Sequence, residues 1–198
     1  MSQERFFEPD QKFLRQLLTC KILGCKYLVI HPYTGDGTED KQIIYDKNVE
    51  MLRALVPYLK EYGVVLCSEN LPFRSLEISK TQTIKKLVSE INSEYVKICF
   101  DTGHANVLGE NIADSVRLLD KDLKVLHVHD NKGTADDRHY VPYHGSINWD
   151  AFTSALKEIG YDGCLSLETM IAKDTPEPAR EKLRIGLATL ARQLAEKI

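Results

Sequence analysis

Five short apolar runs, each closing on a residue able to bind a metal ion, constrain this chain more than any other feature. They are 26–31 (KYLVIH), 64–70 (VVLCSEN), 96–101 (VKICFD), 123–130 (LKVLHVHD) and 164–168 (CLSLE). Apolar runs this continuous read as strands covered on both faces, as in parallel sheets. Between and around them, apolar residues recur at the helical period over Gln11–Leu23, Asp40–Tyr62, Thr81–Ile91, Ile112–Leu119, Asn148–Ile159 and about Pro178 to Ile198. Asn148 is a helix-capping type and Gly160 a helix-stopping type. The alternation predicts an α/β fold with a parallel sheet and helices outside it. No Pro/Gly-rich linker and no short repeat divides the sequence, so residues 1–198 read as a single domain.

Composition narrows the function classes. The net charge is −3 and no basic stripe is visible, which argues against a nucleic-acid partner. No apolar run approaches the ~20 residues that span a bilayer. Met1-Ser2-Gln3-Glu4-Arg5 has no apolar core behind it, so no signal peptide is visible and a cytoplasmic location is expected. The five cysteines are scattered and form no C-x-x-C pair, as suits free thiols in a reducing compartment.

In a parallel α/β fold the strand C-termini share one face, and sites form there. Topology therefore gathers His31, Glu69, Asp101, the pair His127 and His129, and Glu168. Any one of these alone reads as a cap or a surface charge. Together, their carboxylates would repel one another unless a cation sat among them. Alternation puts His127 and His129 on the same side of their strand and leaves both as candidates. Depth favours His127. Glu69, Asp101 and Glu168 lie five, five and four residues past the starts of their runs, His127 four and His129 six. The expected ligand set is Glu69, Asp101, His127 and Glu168. Mixed imidazole and carboxylate donors suit Zn²⁺ or Mn²⁺, with Fe²⁺, Co²⁺ or Mg²⁺ as other candidates, and suit Ca²⁺ poorly. The segments 32–39 and 131–147 read as loops, and the second is long enough to be functional.

At these residues the sequence resembles the sugar phosphate isomerase/epimerase family, the xylose isomerase-like TIM barrels, whose superfamily includes endonuclease IV. Val29-Ile30-His31-Pro32 resembles the family's strand ending in His-Pro, and Ser68-Glu69-Asn70 its Glu-Asn motif. Phe100-Asp101-Thr102-Gly103-His104 is similar to its Asp-x-x-His signature, and His127-Val128-His129-Asp130 to its His-x-x-Asp motif. Asp137-Arg138-His139 is similar to the Asp-x-His of the nuclease branch. Gly145-Ser146-Ile147-Asn148-Trp149 resembles the end of Gly-x-Gly-x-Ile-x-Trp, with Tyr143 in place of the first Gly. Gly160 to Gly163 and Leu165 to Thr169 resemble the last barrel strand.

The resemblance implies that Glu69, Asp101, His127 and Glu168 hold one metal ion, with His127 the ligand of its motif. It implies that Glu69 and Glu168 act as acid and base on a carbohydrate substrate and that His104 contacts the substrate. In the nuclease branch, His31, His104, Asp137 and His139 would help bind further zinc ions. His129, Asn70 and Asn131 would stand behind the ligands. The run ending in His31 resembles the fourth of eight strands, so a partial barrel of about five parallel strands is expected. An open sheet exposes edges and interior, which predicts a homo-oligomer. Three functions follow: a metal-dependent sugar, sugar phosphate or keto-inositol isomerase or epimerase working through an enediolate; a metal-dependent phosphodiesterase at abasic DNA; or a metal-binding fragment without activity.

Overall fold

A computed structural model describes residues 8–198. The reading of Met1–Arg5 therefore lies outside the described residues. The elements run α1 (Gln11–Leu23), β1 (Tyr27–Ile30), α2 (Lys41–Tyr62), β2 (Val65–Glu69), α3 (Thr81–Ile91), β3 (Val96–Asp101), α4 (Thr102–Val107), α5 (Ile112–Leu119), β4 (Leu123–Val128), α6 (Trp149–Glu158), β5 (Leu165–Leu167) and α7 (Glu177–Ala195). The five strands form one sheet in the order β1-β2-β3-β4-β5, every pair parallel, as the strand–helix alternation predicts.

The sheet curls into part of a barrel with its helices outside. Leu66, Ile98, Phe100, Leu126 and Val128 on its convex face are buried against Leu52, Leu55, Leu59, Ile84, Leu87, Val116, Phe152 and Leu156 of the helices. Each such side chain contributes roughly 1.5–3 kcal/mol by leaving water, an upper estimate because unfolded chains already bury some surface. The alternate residues Cys67, Glu69, Cys99, Asp101 and His127 take the concave face. Register sets Glu69 opposite Cys99, Asp101 opposite His127, and His127 opposite Ser166. Register thus puts Asp101 and His127 level with each other and Glu69 one residue pair deeper.

Among the described residues, β1 and β5 pair on one side only and are half-exposed along their length. The helices beside these edges also show apolar side chains to solvent, with Ile22 74%, Leu23 70% and Ile185 61% exposed. α7 buries only Leu194 fully. All five cysteines are free. No helix among the described residues is long and apolar enough to cross a membrane.

Two local features depart from the sequence reading. The helix α4 starts at the residue after β3, because the Asp101 carboxylate caps it by accepting from the His104 N–H at 2.8 Å. The fourth strand ends at Val128, before the expected Asp130. There the 131–147 loop turns back, and Asp130 and Tyr140 exchange two backbone hydrogen bonds of 2.9 Å.

Candidate metal centre

Three acceptors and an imidazole meet at the mouth of the half-barrel. His127 Nδ1 lies 2.9 Å from Glu69 Oε1 and 3.1 Å from Glu168 Oε1. One N–H cannot serve two carboxylates well, whereas a cation can. Asp101, His127 and Glu168 offer ligand atoms all within 4.8 Å of one another, as do Glu69, Asp101 and His104, and Glu69, Cys99 and His127. The four expected ligands are thus joined through overlapping triads. Asp101 is fully buried, and its Oδ2 has no hydrogen-bond partner among the described residues. A buried carboxylate oxygen without a donor is costly, and a bound cation would relieve it. Burial lowers the basicity of His127, but Glu69 and Glu168 outweigh it and hold the pKa above the ordinary histidine value. His31, just past β1, reaches Glu69 Oε2 at 3.3 Å while its side chain stays 68% exposed.

A second cluster adjoins the first. His104, His129, Asp137 and His139 also place ligand atoms within 4.8 Å of one another. His104 Nδ1 contacts the Asn70 carbonyl at 2.8 Å and its Nε2 faces Asp137 Oδ2 at 3.3 Å. Both nitrogens of this ring are therefore engaged inside the protein. Burial works against its charge, but Asp137, Asp101 and the Asn70 carbonyl raise its pKa to about 9. Burial likewise works against charge on Asp137, and His104 and the other imidazoles overcome it and lower its pKa.

The supporting residues explain this placement. Asn70 bridges β2 to β3: its Oδ1 accepts from Asp101 N at 2.8 Å and its Nδ2 donates to Asp101 O at 3.0 Å. Asn131 donates to Gly103 O at 2.8 Å, and its Oδ1 accepts from Asn106 Nδ2 at 2.8 Å and Gly133 N at 2.9 Å. Asp130, fully buried, organises the loop. Its Oδ1 accepts from the N–H groups of Asn131, Ser146 and Ile147, and its Oδ2 from Tyr143 N and Trp149 Nε1. A Cβ on Gly145 would lie 1.9 Å from that Oδ1, so only glycine fits there. Asp130 and Asn106 were not among the residues read from sequence as site residues. The signal for Asp130 was its place at the end of His-x-x-Asp. For Asn106 there was none.

The fold and the clustered ligands together define a class. A family model described as xylose isomerase-like TIM barrel matches residues 11–192, and the chain belongs to that family. An uncharacterized protein of Methanocaldococcus jannaschii is 34% identical over 180 residues, covering 88% of this chain and 61% of that protein. The inosose isomerase of Bacillus subtilis is 29% identical over 163 residues, covering 79% of this chain and 58% of that enzyme. Among solved structures, the IolI protein with a binding zinc atom superposes with a TM-score of 0.76 at 27% identity, covering 94% of this chain and 74% of that chain. The chain spans about three-fifths of the length of these curated relatives.

Proposed function

We propose that this chain carries the metal-binding and proton-transferring part of a sugar isomerase or epimerase. The convergence of Glu69 and Glu168 on one nitrogen of His127 carries the reading. The likeness to an inosose isomerase and to a zinc-binding relative supports it. Glu69, Asp101, His127 and Glu168 would hold a divalent ion, and the two imidazole-contacting carboxylates with the unpartnered Asp101 oxygen are donors that fit one. Bound there, the ion would polarise the neighbouring carbonyl and hydroxyl oxygens of a ketose or keto-inositol and make the adjacent C–H acidic.

The chain's own residues then move the proton. Glu168, partly exposed at the mouth, would act on the substrate carbon from one side, and Glu69, buried beneath, from the other. One would take the proton and the other return it; return to the same carbon on its opposite face gives the epimer, and return to the neighbouring carbon gives the isomer. His104, held at both ring nitrogens, positions this floor from behind. The test is solvent deuterium exchange into a panel of ketoses, their phosphates and inososes. Glu168→Gln is expected to slow exchange by about 10²–10⁴-fold, the usual weight of a general base. Unchanged exchange would remove Glu168 from the reaction.

The second cluster gives the phosphodiesterase reading its one observation, since multi-metal clamps suit phosphoryl transfer. The net charge of −3 opposes it, because duplex binding draws on phosphate neutralisation.

A further inference from the structure

We propose that a cleft between the N-terminal ends of α2 and α3 is a binding site for a phosphate group, free or carried by a small metabolite. The cleft has a volume of about 490 Å³ and is walled by both helices and by the short turn Glu77–Ser79 that precedes α3. Lys41 lines it from α2 and Lys86 from α3. Among the described residues neither ammonium group has a hydrogen bond or an ion pair. The one lining carboxylate, Glu77, is paired with Lys80 at 2.8 Å instead. Two ammonium groups left uncompensated at one cleft stand out in a chain whose net charge is −3. Like charges lining one cleft focus a field that favours an anion between them.

The backbone adds to that field. The first turns of both helices line the cleft, through Lys41 and Gln42 in α2 and Gln82 and Thr83 in α3. Each helix start carries roughly half a positive charge and N–H groups suited to phosphate oxygens. Neither first turn holds an acidic residue, and α3 has no side-chain cap. Where α3 begins, the hydroxyls of Ser79 and Thr81, 0% and 2% exposed, have no hydrogen-bond partner among the described residues. Buried hydroxyls left so are costly, and an acceptor brought to this turn would relieve them. Tyr45 supplies an apolar wall. It is buried, its hydroxyl donates to Glu90 Oε2 at 2.9 Å, and the Lys86 ammonium lies 4.5 Å from its ring centroid. The ring thus holds Lys86 in place by a cation–π contact and offers the body of a ligand a fixed surface.

One wall of the cleft leads to the metal centre. The Ser79 carbonyl accepts from Leu71 N at 3.2 Å, and Asn70, one residue earlier, bonds both backbone groups of Asp101. None of the lining residues belongs to the metal centre, so the ligand is an effector and not a substrate. The inference stands apart from the isomerase reading and survives its failure.

The experiment titrates the full, zinc-loaded chain with glycerol 3-phosphate, with inorganic phosphate and with glycerol. Calorimetry gives affinities and amide chemical shifts give the place of binding, for wild type, Lys41→Gln, Lys86→Gln and the control Lys182→Gln. All three lysines are exposed, so the variants keep the fold. Glycerol 3-phosphate has no carbonyl and cannot serve as a ketose substrate. Saturable binding of the phosphate compounds, absent with glycerol, is expected, with shifts at residues 41–45 and 82–86. Each of Lys41→Gln and Lys86→Gln should weaken it by about 10-fold, the weight of one charge-assisted hydrogen bond, and Lys182→Gln should leave it unchanged. Affinity should also fall as salt is raised. Tighter binding of glycerol 3-phosphate than of inorganic phosphate would support an organic phosphate as occupant, and equal binding would support free phosphate at the same site. No saturable binding, shifts confined to the residues around Glu69 and Asp101, or affinities unchanged in both lysine variants would overturn the proposal.

Discussion

Replacing Asp130 by Asn tests whether one carboxylate organises the loop over the site. Asp130 accepts five N–H groups, three on Oδ1 at 2.9, 3.1 and 3.3 Å and two on Oδ2 at 3.1 and 2.9 Å. Asparagine keeps one acceptor oxygen and puts an NH₂ group where the other was. With the amide oxygen at the Oδ1 position, Tyr143 N and Trp149 Nε1 face a donor. Tyr143 is 51% exposed, so its N–H can turn to water; Trp149 is 2% exposed, so its N–H cannot. One stranded buried donor costs about 1–3 kcal/mol, and the three remaining bonds lose their charge assistance, about 1 kcal/mol more. The expected loss is about 2–4 kcal/mol, or roughly 4–16 °C in Tm for a chain of this size. Urea unfolding followed by circular dichroism and by the fluorescence of the chain's one tryptophan measures it. Asp136→Asn is the control: it lies on the same loop, exposed, paired only with Arg138, and should stay within about 0.5 kcal/mol of wild type. A cost below about 1 kcal/mol for Asp130→Asn would show that the loop is held by something else.

Two further outcomes follow from the electrostatics and the open edges. Burial pushes the Asp122 carboxyl up, but Lys85 and Lys97, each at 2.6 Å, outweigh it and hold its pKa below the ordinary value. A depressed folded pKa stabilises above the unfolded value near 3.9 and is lost as pH falls through the folded one. Asp122→Asn should therefore be less stable than wild type at pH 6 by urea titration, and the gap should shrink below about pH 4; a gap independent of pH would refute the assignment. Exposed Ile22, Leu23 and Ile185 beside the unpaired edges of β1 and β5 should drive self-association. Light scattering at micromolar concentration should give more than one chain's mass, falling on Leu23→Lys; a monomer would contradict this.

Much of the architecture was legible because it rests on periodicity. The five runs became the five strands within a few residues, and the caps at Asp40, Asn148 and Asn111 show why helices begin where polarity returns. The helix α4 was not legible as a helix. Six residues are too few to display a period, and Asp101 had been read for its chemistry as a ligand, while in the fold it also caps. Tyr143 stood out as a departure from Gly-x-Gly, and the backbone shows what that departure means: it adopts φ +75°, the left-handed region glycine enters freely and other residues reach at about 1–2 kcal/mol. Its N–H still reaches Asp130 Oδ2 at 3.1 Å, so the turn is kept despite the strain.

The choice between His127 and His129 shows where sequence reasoning stops. Alternation holds only while the ladder continues, and β4 ends at Val128. His127 is still in register, opposite Asp101 and Ser166, and points where its strand dictates. His129 is one residue beyond. Its backbone is held instead by Thr102, whose hydroxyl donates to His129 O at 2.8 Å and accepts from His129 N at 3.1 Å. Its ring lies against Gly103, in a space that exists only because that residue has no side chain. The strand sets His127 against the carboxylates of Glu69 and Glu168, and the start of α4 sets His129 against Asp101 and the His139 ring, a division that depends on contacts made 25 and more residues away in sequence.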